Sequence, residues 1–90
     1  MVYIQSGFTG IKMLKEWLKE NGFITFPVVP WKNGIILDEM HEKGFTIKAI
    51  IGSPQIIESA KKHRPLAFSF QEAEDAVEVK SWEEIRKRLK

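Results

Sequence analysis

An α/β domain with helices on both faces of a sheet is what this sequence predicts, and two observations predict it. Strand-like and helix-like stretches alternate along the chain in the order β-α-β-α-β-α-β-β-α, and one of them, Phe45 to Gly52 (FTIKAIIG), is apolar almost without interruption. Alternation implies parallel strands joined by right-handed crossovers. A nearly continuous apolar run is what a strand covered on both faces needs. The expected architecture is a single three-layer domain over residues 1–90, a mixed and mostly parallel five-stranded sheet flanked by helices.

Each element has its own local reason. Val2 to Gln5 reads as the first strand. Residues 10–21 then set Ile11, Leu14 and Leu18 on one helix face and Lys12, Lys15, Glu16, Lys19 and Glu20 on the other, and Asn21-Gly22 ends the helix. Phe23 to Trp31 (FITFPVVPW) is aromatic and β-branched, but Pro27 and Pro30 cannot donate to a ladder, which sends this strand to a sheet edge. At Asn33-Gly34 the reading forks between a hairpin turn and a helix start. Ile36, Leu37 and Met40 at helical spacing, with Asp38, Glu39, Glu42 and Lys43 opposite and Gly44 after them, favour the helix.

After the central strand, Ser53-Pro54 has the form of an N-cap followed by proline at the first helical position. The third helix is expected to reach about Lys62, burying Ile56, Ile57 and Ala60, with Arg64-Pro65 stopping it. Leu66 to Phe70 is the fourth strand, with Leu66, Phe68 and Phe70 on its core side. The acidic turn QEAED then leads into Val77 and Val79, and so short a turn predicts an antiparallel last pair. Ser81-Trp82-Glu83-Glu84 has the form of a capping box, opening a helix whose buried stripe is Trp82, Ile85 and Leu89.

Composition bounds the function. Ninety residues with 43% hydrophobic and 29% charged content suit one water-soluble core, and no apolar run is long enough to cross a bilayer. No basic segment followed by a long apolar one opens the chain, so cytoplasmic residence is the expectation. The absence of cysteine excludes disulfides, thiolate catalysis and cysteine metal sites. Together with abundant Lys, Glu and Ile it fits a thermophile's composition. Fourteen basic against twelve acidic side chains leave a net charge of +2, which permits a nucleic-acid partner without arguing for one.

The first candidate site is the turn SGFTG after the first strand. It matches neither GxGxxG nor GxxxxGK[ST], so it reads first as a tight connection in which Ser6 or Thr9 caps the helix. Its amides, with those after the central strand, still make Ser6, Gly7, Thr9, Gly10, Gly52 and Ser53 candidates for holding an anion or small ligand. Phe8, in the same turn, and the pair Trp31-Lys32 are candidates for stacking on an unpaired base. Lys61, Lys62 and Arg64 add a basic edge for phosphates. Asp38, His41 and Glu42 share a helix face, but a metal would want a further ligand, and the spacing reads as a solvated face. Neither histidine stands at telling spacing from a nucleophile, so no catalytic residue and no cofactor is expected.

GFTIKAIIG resembles the central strand of the anticodon-binding domain of class II aminoacyl-tRNA synthetases, which carries a Gly-Ile-Pro-Tyr-x-x-Ile-Ile-Gly-like segment there. The likeness extends in order and size over the chain, through IKMLKEWLKENGF to the closing VEVKSWEEIRKRLK. It implies a five-stranded mixed sheet and a stand-alone, non-catalytic module that binds structured RNA such as tRNA through its strand-end loops, with Phe8 and Trp31-Lys32 among the contacts. Two other expectations stand beside it. One is a small-molecule or nucleotide-binding regulatory domain using the crevice near Gly7 and Gly52, and the other is a protein-interaction or self-associating domain.

Overall fold

A computed structural model describes residues 1–28 and 33–89. Five strands, β1 (Val2–Ile4), β2 (Thr25–Pro27), β3 (Ala49–Ile51), β4 (Leu66–Ser69) and β5 (Val77–Glu78), form one sheet in the order β2-β1-β3-β4-β5. Among the described residues, four α-helices accompany them: α1 (Ile11–Glu20), α2 (Asn33–Glu42), α3 (Pro54–Ser59) and α4 (Trp82–Leu89). The fork at Asn33 resolves as helix. Of FTIKAIIG, Ala49, Ile50 and Ile51 form the middle strand and are all fully buried; the strand is shorter than the expected Phe45–Gly52 because Phe45 is taken up in closing α2. β2, with Pro27, is an edge strand.

Handedness distributes the helices. The connection β1–α1–β2 steps one way across the sheet, and β2–α2–β3 and β3–α3–β4 step the other way. Right-handed crossovers moving in opposite directions must lie on opposite faces. The core divides accordingly. Val2, Ile4, Ala49, Ile51 and Phe68 pack with Leu14 and Leu18 of α1 and Ile85 and Leu89 of α4. The alternate residues Tyr3, Ile50 and Ala67 pack with Leu37 of α2 and Ile56, Ile57 and Ala60 at α3. This is the period of two expected of strands covered on both sides.

Two helices end in the same way. Phe23 N–H donates to Leu18 O and Gly22 N–H to Lys19 O after α1, while Phe45 N–H donates to Met40 O and Gly44 N–H to His41 O after α2. These are Schellman closures, and Gly22 and Gly44 carry the required positive φ of 81° and 90°.

The sheet is parallel throughout, so the expected antiparallel edge is corrected. Phe68 pairs with Val77 and Ser69 with Glu78 in parallel register. A short connection usually means a hairpin because a parallel return must cover the strand's full length. Here β4 has four residues and β5 two. At about 3.3 Å per residue, residues 70–76 reach back along so short a strand without a helix. Ala76 packs on the α2/α3 side during the return.

Smaller departures follow from local chemistry. The third helix ends at Ser59 rather than near Lys62, and Lys61–His63 continue as a 3-10 turn. Arg64 then takes a left-handed conformation (φ 50°) before Pro65. No side chain caps α1, because Gly10 itself is its left-handed N-cap. Glu84 reaches back as the box requires, but its carboxylate accepts from the amide of Lys80 rather than that of Ser81. Of the three residues assigned to the core side of β4, only Phe68 is buried. Leu66 and Phe70, at and beyond the strand's two ends, are 42% and 36% exposed.

Candidate functional site

In a doubly wound sheet a crevice opens beyond the carboxyl ends of the strands where the order reverses, because the two chains leaving there turn to opposite faces. In the order β2-β1-β3-β4-β5 the reversal falls between β1 and β3. A cavity of about 250 Å3 lies there, lined by Gln5, Ser6, Gly7 and Phe8 after β1, Ile51, Gly52 and Ser53 at the end of β3, and Ser69, Phe70 and Gln71 at the end of β4.

The lip is built by backbone and side chain together. Gln5 N–H donates to Ile51 O at 2.8 Å and Gly52 N–H to Phe68 O at 3.1 Å, carrying the ladder one residue past the strands. The Gln5 Oε1 accepts the Ser53 amide at 2.7 Å, joining the loop after β1 to the start of α3. Gly52 permits this link, since a Cβ there would stand 2.9 Å from that same oxygen. Ser69 is fully buried, and its hydroxyl accepts the Gln71 amide at 3.2 Å. Phe8 and Phe70 stack with centroids 4.7 Å apart and planes inclined at 30°.

Every described residue lining this crevice is uncharged. Hydrogen bonding and ring contact are what the lining offers.

A larger cavity, about 330 Å3, lies at the opposite end of the sheet beneath the β4–β5 return. Its floor is Ile57, Pro65 and Ala67, and its rim is charged with Glu58, Lys61, Arg64, Glu74 and Asp75. Lys61 Nζ lies 3.2 Å from Asp75, and that hydrogen bond, followed by the nearby Glu58 charge, holds its ammonium above the ordinary lysine value. Opposite charges that pair with one another on an exposed rim make this a structural junction.

The sequence candidates divide between these two ends. Ser6, Gly7, Phe8, Gly52 and Ser53 converge on the strand-end crevice. Thr9 and Gly10 do not line it, and Gly10 faces Trp82 of α4 instead. Lys61, Lys62 and Arg64 precede β4 and therefore sit at the amino end, a sheet's length from Phe8. Trp31 and Lys32 lie outside the described residues.

Lys62 is also engaged, with its Nζ 2.9 Å from Asp38. His63 Nε2 meets the same carboxylate at 2.9 Å, and its ring centroid is 4.9 Å from that of His41. Hydrogen bonds from Lys62 first and His63 second hold the Asp38 carboxyl below its ordinary value. Among the described residues, no group of three or more His, Asp or Glu is placed to hold a metal ion. No described helix is long and apolar enough to cross a membrane.

Sequence reasoning missed Gln5, Ser69, Phe70 and Gln71 as crevice residues. The available signal was position, since each lies at or just past the carboxyl end of an interior strand. It missed the Asp38–His63 contact because the partners come from different helical segments.

Comparison with known proteins finds no matching family model, no matching curated protein and no matching solved structure.

Proposed function

We propose that this chain is a small-ligand-binding α/β module that works through the crevice at the carboxyl ends of β1, β3 and β4. The carrying observation is convergence. Loops from three adjacent strands meet at the reversal of strand order, and their side chains form an uncharged polar rim beside one stacked aromatic pair. Open α/β sheets bind ligands at that position, and apolar walls with a few polar groups are the usual composition of small-molecule sites. With no carboxylate, imidazole or amine among the described lining residues, the chemistry they support is recognition rather than proton transfer.

Binding of a structured RNA, as the resemblance to anticodon-binding domains implies, is a second reading. Phe8 and Phe70 favour it, because an unpaired base stacks on such a pair at a loop rim. Against it, the described basic candidates lie at the other end of the sheet, and Lys61 and Lys62 are each paired with an aspartate.

Amide NMR on the 15N-labelled chain, screened with a panel of small metabolites and with tRNA, separates the two readings. The ligand reading expects one or more small compounds to move Gln5–Phe8, Gly52–Ser53 and Ser69–Gln71 together. It also expects tRNA to bind no better than an unrelated polyanion. Small compounds that move only residues elsewhere would overturn it. So would a tRNA complex that displaces the strand-end loops and weakens steeply with salt.

A further inference from the structure

We propose, resting on the crevice reading above, that the ligand is an uncharged unsaturated ring of the nucleobase or nucleoside class, and that a phosphate contributes nothing to its binding. Three observations carry this. The first is size. At about 250 Å3 the crevice falls below the roughly 300 Å3 where sites for drug-sized ligands begin, which suits a ring system with a small substituent rather than a dinucleotide.

The second is charge. None of the described lining residues is cationic, and the described lysines and arginine before β4 are a sheet's length away. An anion entering here loses its hydration without meeting a described cationic side chain, which is costly unless hydrogen bonds replace the lost water. The turn after β1 also lacks the glycine spacing that cradles a diphosphate.

The third is the kind of contact on offer. Phe70 is stacked on Phe8 and yet remains 36% exposed, so an incoming ring has an aromatic neighbour already held in place. Around it stand two primary amides, Gln5 and Gln71, and two serine hydroxyls, Ser6 and Ser53. Amides and hydroxyls both donate and accept, which matches the alternating donors and acceptors along the edge of a base. Gln5 is pre-positioned for this role. Its Oε1 is committed to the Ser53 amide, and its Nε2 makes no hydrogen bond among the described residues.

The test is an NMR titration with adenosine, guanosine, cytidine and uridine, their 5′-monophosphates, and inorganic phosphate. At least one nucleoside is expected to shift Gln5–Phe8, Gly52–Ser53 and Ser69–Gln71, its monophosphate to bind no more tightly, and phosphate alone to leave these amides unmoved. Phe70→Leu, which keeps apolar bulk and removes the ring, is expected to weaken the nucleoside about tenfold, within the range of base–aromatic stacking. Its unchanged amide spectrum away from the crevice would certify the fold.

Crevice shifts from phosphate or monophosphates but from no nucleoside overturn the inference and leave the crevice reading standing. The same holds if no nucleoside shifts these amides while other metabolites in the wider panel do. Nucleosides and other metabolites that all shift only residues at the amino end of the sheet overturn both.

Discussion

Gly10 and Trp82 approach so closely that a Cβ added to the glycine would stand 2.2 Å from the indole Cδ1. The contact joins the start of α1 to the first turn of α4, the two helices that cover one face of the sheet. It also accounts for the glycine whose place in SGFTG suggests a binding loop. Gly10 is there so that Trp82 can pack.

The consequence is measurable against an internal control. Gly10→Ala forces a side chain into a left-handed position (φ 87°) and into the indole. The first costs about 1–2 kcal/mol and the second about 1–3 kcal/mol. Gly22→Ala imposes the same backbone strain (φ 81°) with nothing within 4 Å of the new methyl group. Urea denaturation is expected to rank Gly10→Ala below Gly22→Ala by at least about 1 kcal/mol. Equal losses would mean that the indole yields freely.

Gly52 makes the opposite kind of demand. Its φ lies outside the left-handed region, so alanine is tolerated by the backbone, but the new Cβ would sit 2.9 Å from Gln5 Oε1 and 3.2 Å from Ile56 Cγ2. The flexible amide is expected to swing away and abandon the Ser53 amide, at a cost of about 1 kcal/mol. If that link is the reason, the cost is shared with Gln5→Ala. A double-mutant cycle is then expected to be non-additive by about 0.5 kcal/mol or more. Additive losses would show that Ile56, rather than the Gln5 link, bears the strain.

These glycines mark the boundary of what the chain's pattern discloses. Helices ending at Gly22 and Gly44, an edge strand at Pro27 and a central strand within FTIKAIIG follow from neighbours in sequence, and all are found, the last over Ala49–Ile51 alone. Gly10 against Trp82 and Gln5 against Ser53 depend on which crossover lies over which face, and no local pattern encodes that. The parallel β5 was hidden for a related reason. A connection's length announces a hairpin only when the strands it joins are long, and these have four residues and two. The half of the site on the loops after β1 and β3 was legible, while Phe70 read as core because its alternation with Phe68 matched a buried face.

Asp38 sets an acid-side dependence of stability. Its folded pKa lies below the ordinary value because Lys62 and then His63 hydrogen-bond its charged form. A depressed carboxyl contributes stability that is fully present above its unfolded pKa and is lost as pH falls through the folded one. The window therefore opens below about pH 4, near the unperturbed aspartate value. Thermal midpoints measured from pH 7 down to pH 2 are expected to fall less steeply on the acid side for Asp38→Asn than for the parent chain. The two curves should converge at the lowest pH. Parallel curves would remove Asp38 as a source of the acid loss.

Protection against hydrogen exchange is expected to fall from the centre of the sheet to β5. The Gly52 amide bonds to Phe68 O between two interior strands, and the Val79 amide bonds to Ser69 O at the edge. β5 is reached through residues 70–76 without a covering helix, and the exposed Lys61–Asp75 pair ties that return to the 3-10 turn before β4. Val79 is itself buried in the core, but β5 has two residues and pairs on one side only, and an edge so briefly laddered opens without unfolding the rest. Val79 is therefore expected to exchange through a sub-global opening about 1 kcal/mol or more below that of Gly52. Lys61→Ala removes the tether and leaves in place Asp75, which holds a left-handed conformation (φ 59°), so it should speed exchange at Val79 and leave Gly52 unchanged. Equal acceleration at both amides would mean that β5 opens only with the whole domain, and that the return is as firmly bound as a crossover helix.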